Sequence, residues 1–475
     1  MLTLFYIVVV AVSLFHILLR RHRAPVSRLA WIAVVLALPF AGAFAYLLLG
    51  TTNIGRKRVE SLERAFESLP RPESAQGWDA PENAAQVPEL YQPLFKVGSS
   101  VNGYPIVGGN RARLSQNSAA AIDEIVADID AATEHVHLLF YIWLDDDSGR
   151  KVADALKRAV QRGVVCRALA DALGSRELLK TDTWAEMGRA GVSTGVALAI
   201  GNPFLRILSG RIDLRNHRKI IVIDNRITYC GSQNCADAAF LPKAKYGPWV
   251  DVMMRFEGPI VRENQHLFAS DWMECTGEDL SGFLRQPLPV SESGFAAQVI
   301  GTGPTMRFAA MPDVFSNLFF AARKELFVTT PYYAPNGAIQ LALCAAAHRG
   351  VDTTIIFPAR NDNLAVGAAS RSHYEDLLEA GVNIYEFEAG MLHAKTLTID
   401  GEITLIGSAN MDRRSFDLNF ENNILLHDPE LTAATRMRQA EYLKQSRKIT
   451  LAEVYSWPVH KRILNNTLAI LDPVL

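Results

Sequence analysis

The chain has 475 residues, of which 49% are hydrophobic and 21% are charged, and its formal net charge is -2. This length accommodates one large domain or two medium ones with substantial hydrophobic cores. Proteins that bind nucleic acid duplexes more often carry a strong basic excess, so the charge balance argues against a nucleic-acid partner. The five cysteines contain no Cys-x-x-Cys pair, and we interpret them as small buried residues rather than a disulfide framework.

The first 50 residues contain two stretches without charged side chains, residues 2–19 and 29–50. At about 1.5 Å per residue the first stretch spans roughly 27 Å, close to the thickness of the bilayer core. We therefore predict a transmembrane helical hairpin over residues 1–50, with Pro39 tolerated inside the second span. Four basic residues lie between the stretches and four lie after them, so the positive-inside rule assigns no orientation.

Two other interpretations of these stretches remain open, a cleaved signal peptide for the first and a buried core helix for the second. The first stretch lacks a basic start and an Ala-x-Ala-like cleavage site, which disfavours the signal peptide. Residues 51–110 are rich in proline and are predicted to form a partly helical linker. Residues 449–475 alternate apolar and basic side chains and predict an amphipathic segment, either an interfacial helix or one that packs on the core.

The rest of the chain contains an internal repeat with an offset of 176 residues. In each copy a histidine is followed by lysine at the second position, aspartate at the seventh, glycine at the fourteenth and asparagine at the seventeenth. The first copy comprises His217, Lys219, Asp224, Gly231, Ser232 and Asn234, and the second comprises His393, Lys395, Asp400, Gly407, Ser408 and Asn410. Farther along, Asp251 and Glu421 each precede a proline by eight residues. Such agreement indicates a duplicated domain.

Each copy lies in a segment in which predicted strands alternate with predicted helices. This order is typical of an α/β fold with a mixed sheet covered by helices. We predict a duplicated α/β domain with two mixed β-sheets and one shared active site. The first half covers residues 111–290 and the second half covers residues 291–448.

Histidine and lysine two residues apart on a strand point to the same face. Asp224 and Asp400 begin turn signals that close a hairpin onto the next strand. That strand ends in Gly-Ser-x-Asn, so the hairpin brings short hydrogen-bonding groups close to the histidine. We predict that Ser232, Asn234, Ser408 and Asn410 bind a substrate phosphate.

Two imidazoles and two ammonium groups around one point suit the cleavage of a phosphodiester. The lysines neutralise the phosphate, one imidazole attacks phosphorus, and the other protonates the leaving alkoxide and then deprotonates the incoming alcohol. The predicted catalytic residues are His217, Lys219, His393 and Lys395.

The acidic residues of the repeat have less certain roles on sequence grounds. Asp224 and Asp400 are candidates for catalysis, although a structural role at the turn fits them equally well. Asp251 and Glu421 are better candidates for orienting the imidazoles, as the carboxylate does in other triads. The sequence contains no His-Glu-x-x-His motif or Cys/His cluster, so no metal and no cofactor are predicted.

The duplicated pattern is the HKD motif of the phospholipase D superfamily, and the chain resembles the bacterial cardiolipin synthases within it. The resemblance extends to residues 215–220, 330–333, 369–372, 390–396 and 414–420. One departure is Asn216, where that family usually has an acid. The similarity covers nearly the whole chain and is weakest over residues 51–110.

The resemblance implies a phosphatidyltransferase of the bacterial inner membrane. One phosphatidylglycerol would donate its phosphatidyl group to a histidine and release glycerol, and a second phosphatidylglycerol would accept it to give cardiolipin. Family precedent favours His217 as the nucleophile, although the two motifs are equivalent in sequence. The alternatives are a hydrolytic phospholipase D, a phosphatidyltransferase with phosphatidylethanolamine or another acceptor, a nuclease, and a lipid-binding protein without activity.

Overall fold

The computed structural model describes residues 2–20, 25–50, 55–199, 213–290 and 293–471. Parts of the predicted segments lie outside the described residues. These are residue 1 and residues 21–24 of the hairpin, residues 51–54 of the linker, residues 200–212 of the first half, residues 291–292 at the boundary and residues 472–475. All predicted site residues lie inside the described ranges.

The N-terminal segment forms three helices rather than two. They are α1 (Leu2–Leu19), α2 (Pro25–Ala37) and α3 (Pro39–Leu49). The second apolar stretch, predicted as one span with Pro39 inside it, is divided into two helices because Leu38, directly before Pro39, leaves the helical region at φ -134° and ψ 73°. Trp31, Val35 and Tyr46 are buried where these helices pack together. Within the described ranges, no helix is both long enough and apolar enough to cross a bilayer.

The linker adds helices α4 (Arg56–Ser68) and α5 (Gln92–Asn102). Helix α4 lies against a later helix, α9 (Ile260–Thr276), and the rings of Phe66 and His266 meet at 4.8 Å between centroids. Arg58 forms an ion pair with Glu274 at 3.4 Å. Helix α4 is therefore docked on the first half, whereas α5 packs against the strand Phe295–Thr302 and the helix Ala310–Ala321 of the second half.

The first half follows the predicted alternation of strands and helices. Its strands are β1 (Val107–Leu114), β2 (His135–Phe140), β3 (Val165–Asp171), β4 (Ser193–Ala197), β5 (Arg215–Asn216), β6 (Ile220–Ile223), β7 (Ile227–Gly231), β8 (Trp249–Val250) and β9 (Met253–Glu257). Its helices are α6 (Ser118–Ala131), α7 (Asp147–Gln161), α8 (Asp182–Arg189), α9 and α10 (Ser281–Arg285).

The second half repeats this order. Its strands are β10 (Phe295–Thr302), β11 (Glu325–Thr329), β12 (Tyr333–Ala334), β13 (Asp352–Pro358), β14 (Asn383–Phe387), β15 (Met391–Leu392), β16 (Thr396–Ile399), β17 (Ile403–Gly407), β18 (Met411–Asp412), β19 (Asn419–His427) and β20 (Ser446–Ile449). Its helices are α11 (Ala310–Ala321), α12 (Gly337–His348), α13 (Leu364–Ser372), α14 (Tyr374–Glu379), α15 (Arg413–Asp417) and α16 (Pro429–Lys444), followed by α17 (Leu451–Tyr455) and α18 (Val459–Leu471).

The main strands of both halves form one continuous sheet, whereas two separate sheets were predicted. The order is β20-β14-β13-β11-β16-β17-β19-β10-β1-β9-β7-β6-β2-β3-β4. Strands β1 and β10 pair antiparallel and join the halves, with Val107 opposite Ala297. This pairing removes an open edge from each half, and an open edge is a liability for a soluble domain. The α/β class, the mixed sheet and the duplication are confirmed.

The hydrophobic core is shared as well. One buried cluster takes Leu139 and Ile220 from the first half together with Ile406 and Leu426 from the second. Helix α18 at the C-terminus packs against α13, while Ile463 and Ile470 remain 60% and 69% exposed. Apolar side chains of this helix thus remain at the surface, while the amphipathic segment over residues 449–475 stays a prediction.

Candidate active site

Each HKD motif lies on a hairpin, as predicted. In the first half β6 pairs antiparallel with β7, and in the second half β16 pairs with β17. The turns begin at Asp224 and Asp400, whose φ angles are 51° and 55°. Aspartate tolerates this left-handed conformation better than most residues do.

The two aspartates of the motifs lie at the turn and not at the cleft. The Asp224 carboxylate accepts hydrogen bonds from the backbone N–H groups of Thr133, Glu134 and His135 and from the Thr133 hydroxyl. Asp400 accepts the equivalent bonds from three consecutive backbone N–H groups that begin at Arg323. Seven residues of extended chain cover about 23 Å, so the carboxylates are at the far end of the hairpin. The prediction that they are catalytic is corrected to a structural role.

The two histidines come to the cleft on short strands that cross between the halves. Strand β5 runs parallel to β19, and the His217 N–H donates to the Phe420 carbonyl at 2.9 Å. Strand β15 runs parallel to β8, and the His393 N–H donates to the Val250 carbonyl at 2.8 Å. Each histidine is therefore positioned by the half of the chain that does not contain it.

The carboxylates that hold the imidazoles follow this crossing. His217 Nδ1 is 2.8 Å from Glu421 Oε2, and His393 Nδ1 is 2.6 Å from Asp251 Oδ1. Both carboxylates are buried, so each bond fixes the orientation of the ring and leaves Nε2 for chemistry. The two predicted orienting residues are thus placed at the imidazoles.

Ser232 and Ser408 contact these carboxylates instead of the cleft. Ser232 Oγ donates to Asp251 Oδ1 at 2.5 Å and accepts the Val252 N–H at 3.1 Å. Ser408 Oγ makes the matching pair of bonds to Glu421 and the Asn422 N–H. Both serines are fully buried. Their predicted contact with the substrate phosphate is therefore corrected to a role in holding the carboxylates.

The two lysines lie beside the histidines and are buried. Lys219 Nζ donates to the His217 carbonyl and Lys395 Nζ to the His393 carbonyl, both at 2.7 Å. Burial lowers the pKa of Lys219 to about 8 and that of Lys395 to about 7. The positive charge of Lys219 further lowers the pKa of Lys395. An anionic ligand in the cleft favours the charged form of both lysines.

Both histidines open on one cavity of about 400 Å³, which is also lined by Asn234 and Asn410. The two predicted asparagines are thus at the cleft. The ring of Tyr141 packs on His217 at 4.8 Å between centroids, and that of Trp249 packs on His393 at 4.6 Å. These aromatic walls restrict the imidazoles to the orientations set by their carboxylates.

Burial governs the protonation of the two rings. It lowers the pKa of His217 to about 4 and lowers that of His393 as well, against the opposing effect of the neighbouring carboxylate. Burial alone raises the pKa of Glu421, but His217 and Lys219 outweigh it and the net shift is downward. At pH 7 the carboxylates are therefore ionised and the imidazoles neutral, and a neutral imidazole is the nucleophilic form.

Several residues of the site carried no distinct signal in the sequence. Tyr141 and Trp249 belong to no part of the repeat, and their roles depend on packing between the halves. Asn216, where the resembling family has an acid, donates to Asp271 Oδ2 at 2.9 Å. Asp271 also pairs with Arg218 at 2.7 Å, so an acid from helix α9 lies against this position. In the described part of the chain, no group of three or more His, Cys, Asp or Glu side chains is placed to hold a metal ion.

The duplication agrees with comparisons to known proteins. Residues 125–272 and 316–441 match the family model of the cardiolipin synthase, PLD-like domain, and residues 8–50 match that of the phospholipase D-nuclease N-terminal segment. Cardiolipin synthase A of Serratia proteamaculans is 34% identical over 99% of this chain and 97% of its own. Cardiolipin synthase A of Edwardsiella ictaluri is 33% identical with the same coverage.

A solved structure is similar in fold. The phosphatidylserine synthase of Haemophilus influenzae superposes with a TM-score of 0.59 at 14% identity, over 82% of this chain and all of its own. With two matched repeats, a common cavity for their histidines and relatives aligned from end to end, the chain belongs to the cardiolipin synthase family of the phospholipase D superfamily.

Proposed function

We propose that the chain is a cardiolipin synthase that transfers a phosphatidyl group from one phosphatidylglycerol to another, with release of glycerol. The observation that carries this proposal is the opening of His217 and His393 onto one cavity. Because the relatives aligned over the whole chain are cardiolipin synthases, the substrates are phospholipids and the reaction is a phosphatidyl transfer.

The first step is an attack on the donor phosphate. Nε2 of one neutral imidazole forms a bond to phosphorus while the bond from phosphorus to the glycerol oxygen breaks. The other imidazole, protonated, gives its proton to that oxygen. The proton is taken up with the substrate, because the negative charge of the bound phosphate raises the pKa of both rings. Lys219 and Lys395 stabilise the charge that develops on the phosphoryl oxygens.

The second step reverses the first with a different alcohol. The terminal hydroxyl of the second phosphatidylglycerol gives its proton to the imidazole that acted as acid, and its oxygen bonds to phosphorus. The bond between phosphorus and the other imidazole breaks, and its electron pair returns to nitrogen. Asp251 and Glu421 hold the two rings in line and stabilise whichever becomes cationic. Family precedent makes His217 the favoured nucleophile.

We place the catalytic unit on a membrane anchor. Residues 1–50 would form a helical hairpin in the bacterial inner membrane, residues 51–110 a linker, residues 111–290 and 291–448 the two halves, and residues 449–475 an amphipathic segment. The support is the family match over residues 8–50 and the outward-facing apolar side chains of α1, among them Leu4 and Phe15, both 66% exposed. An anchor keeps the cavity at the surface where its lipid substrates lie.

The purified full chain with phosphatidylglycerol alone in mixed micelles tests the proposal. Equal amounts of cardiolipin and glycerol, measured by mass spectrometry, are the expected products. Phosphatidic acid in place of cardiolipin would identify a hydrolytic phospholipase D. If cardiolipin forms only after phosphatidylethanolamine is added, the second lipid differs from the proposed one.

A further inference from the structure

The two halves match at the groups that act on phosphorus but differ on the walls of the cavity. Arg215 precedes His217 by two residues, whereas Met391 holds the corresponding position before His393. Arg414 follows Asn410 by four residues, whereas Ala238 holds that position after Asn234. Both arginines line the cavity, and the duplication contains no partner for either.

The two guanidinium groups come from different halves and act on the same ring. Both lower the pKa of Tyr141, although burial raises it overall, and Tyr141 packs on His217. Arg215 is only 8% exposed. Burial lowers its pKa, and the charge of Arg414 adds to this, against the opposing charges of Asp171 and Asp213. Two cations held close together, one of them buried, form a site that a negatively charged ligand stabilises.

The neighbouring carboxylates position these arginines rather than occupy the cavity. Asp171 accepts hydrogen bonds from the N–H groups of Leu173, Gly174 and Asn216, which fixes the loop beside Arg215. Arg414 bonds to the Asp213 carboxylate at 3.2 Å and to its carbonyl at 2.7 Å. A guanidinium has five N–H donors, so these two bonds leave further donors for a phosphate.

The proposed reaction requires two phosphates in the cleft at once. The acceptor lipid has its own phosphodiester one glycerol away from the hydroxyl that attacks, and the product cardiolipin keeps both phosphates. The two lysines of the motifs serve the phosphate that reacts. A symmetric pair of motifs provides nothing that distinguishes donor from acceptor, but the arginine pair exists on one side only.

We propose that Arg215 and Arg414 form a second anionic subsite on the cavity wall, which binds the phosphate of the acceptor phosphatidylglycerol. This inference rests on the proposed function and adds to it the group that selects the acceptor. The arginines make charge-assisted hydrogen bonds to the phosphodiester, so phosphatidylglycerol is bound more tightly than an alcohol without a phosphate.

Two acceptors used with the same phosphatidyl donor distinguish binding of the acceptor phosphate from a general effect on catalysis. Cardiolipin formation from phosphatidylglycerol needs the second phosphate, whereas exchange of isotope-labelled glycerol into phosphatidylglycerol uses an acceptor without one. In Arg215→Met, which introduces the residue of the other repeat, and in Arg414→Ala, we expect the ratio of cardiolipin formation to glycerol exchange to fall about tenfold or more. Arg215→Lys keeps the charge and should recover part of the ratio. Arg189→Ala, an exposed arginine on α8, is the matched control and should leave the ratio unchanged.

A third acceptor, glycerol 3-phosphate, distinguishes a lipid-bound phosphate from a free one. If the variants lose the preference for glycerol 3-phosphate over glycerol, the arginines bind the phosphate group itself. If the variants lose only the preference for phosphatidylglycerol over glycerol, the subsite is specific for the lipid. An unchanged ratio, or an equal loss of both activities in a variant whose thermal unfolding matches the wild type, would overturn the subsite. Failure of the proposed function is a separate outcome, since the wild-type chain would then form no cardiolipin.

Discussion

The two halves of the chain differ in a way that separates chemistry from recognition. Around the two histidines they match, with a bond from His217 to Glu421 in one and from His393 to Asp251 in the other. On the cavity walls they diverge: Arg215 lines the cavity where the other repeat has Met391, and Trp249 packs on His393. The transfer of a phosphoryl group between two alcohols is symmetric, and it needs an acid–base residue on both sides. Two lipids that play different roles need walls that are not symmetric.

The same comparison explains why one half alone forms an incomplete site. Each imidazole depends on a carboxylate and a strand from the other half, and β1 and β10 close the sheet between them. Duplication therefore supplied two copies of a motif that function only together.

The largest expected effect comes from the histidines. His217→Ala and His393→Ala should each lower cardiolipin formation by about 10⁴-fold or more, since either loss removes the nucleophile or the acid. Glycerol exchange and mass spectrometry of the intact protein with substrate identify which variant still takes up a phosphatidyl group. That variant retains the nucleophile. Activity near the wild-type level in either variant would contradict a mechanism with two histidines.

The crossed carboxylates give the next largest effect. Glu421→Gln and Asp251→Asn should each lower activity by about 10²- to 10⁴-fold, because the amide cannot stabilise an imidazolium or hold the same tautomer. In ¹⁵N NMR of labelled histidine, Glu421→Gln should move the ring signals of His217 and Asp251→Asn those of His393. Movement of the signals of the histidine in the same half would refute the crossing.

The two lysines differ in pKa, and this predicts the pH dependence. Because one imidazole must take up a proton with the substrate, kcat/KM should fall with rising pH across the range of the two lysine pKa values. The phosphate also binds the charged ammonium, which exists below the pKa, so the fall should steepen as the pH rises through about 7 and 8, the pKa values of Lys395 and Lys219. Lys395→Arg keeps its charge over this range and should move the fall toward pH 8, with a lower maximum because the guanidinium is larger. A pH–rate profile from pH 5.5 to 9.5 measures this shift. Lys448→Arg, at an exposed lysine of β20, should leave the profile unchanged, and a profile of Lys395→Arg that also stays unchanged would remove Lys395 from phosphate binding.

The sequence predicted the duplicated fold and the residues around phosphorus because both depend on local spacing. The distance from His217 to Lys219 and the turn at Asp224 are properties of one hairpin, and each half repeats them. The contacts between the halves could not be predicted from the sequence. The pairing of Glu421 with His217, the joining of the sheets through β1, and the position of Tyr141 depend on how two distant segments pack. The roles of Ser232 and Ser408 were misjudged for a different reason: their carboxylate partners lie in the same half but 19 and 13 residues away in sequence, outside the spacing of the motif.

The smallest effect on catalysis is expected at the far end of the hairpin. Asp224 accepts four hydrogen bonds at the start of β2, and an asparagine can accept only part of them. Asp224→Asn should lower the free energy of unfolding by about 2 kcal/mol and leave kcat within a factor of about 3. Asp123→Asn is the control, since its ion pair with Lys151 is exposed and contributes little to stability.

The pH dependence of the loss of stability in Asp224→Asn identifies its cause. Burial raises the pKa of Asp224, but the N–H groups of Thr133, His135 and Glu134 outweigh it and lower the pKa below its ordinary value. A lowered carboxyl pKa stabilises the fold above the unfolded-state pKa of about 4, and this contribution disappears as the pH falls through the folded-state value. In urea unfolding the difference between wild type and Asp224→Asn should therefore be full at pH 7 and shrink below pH 4. A difference in stability that is independent of pH would contradict this role of the charged carboxylate. A loss of kcat comparable to that of the histidine variants would place Asp224 in the active site.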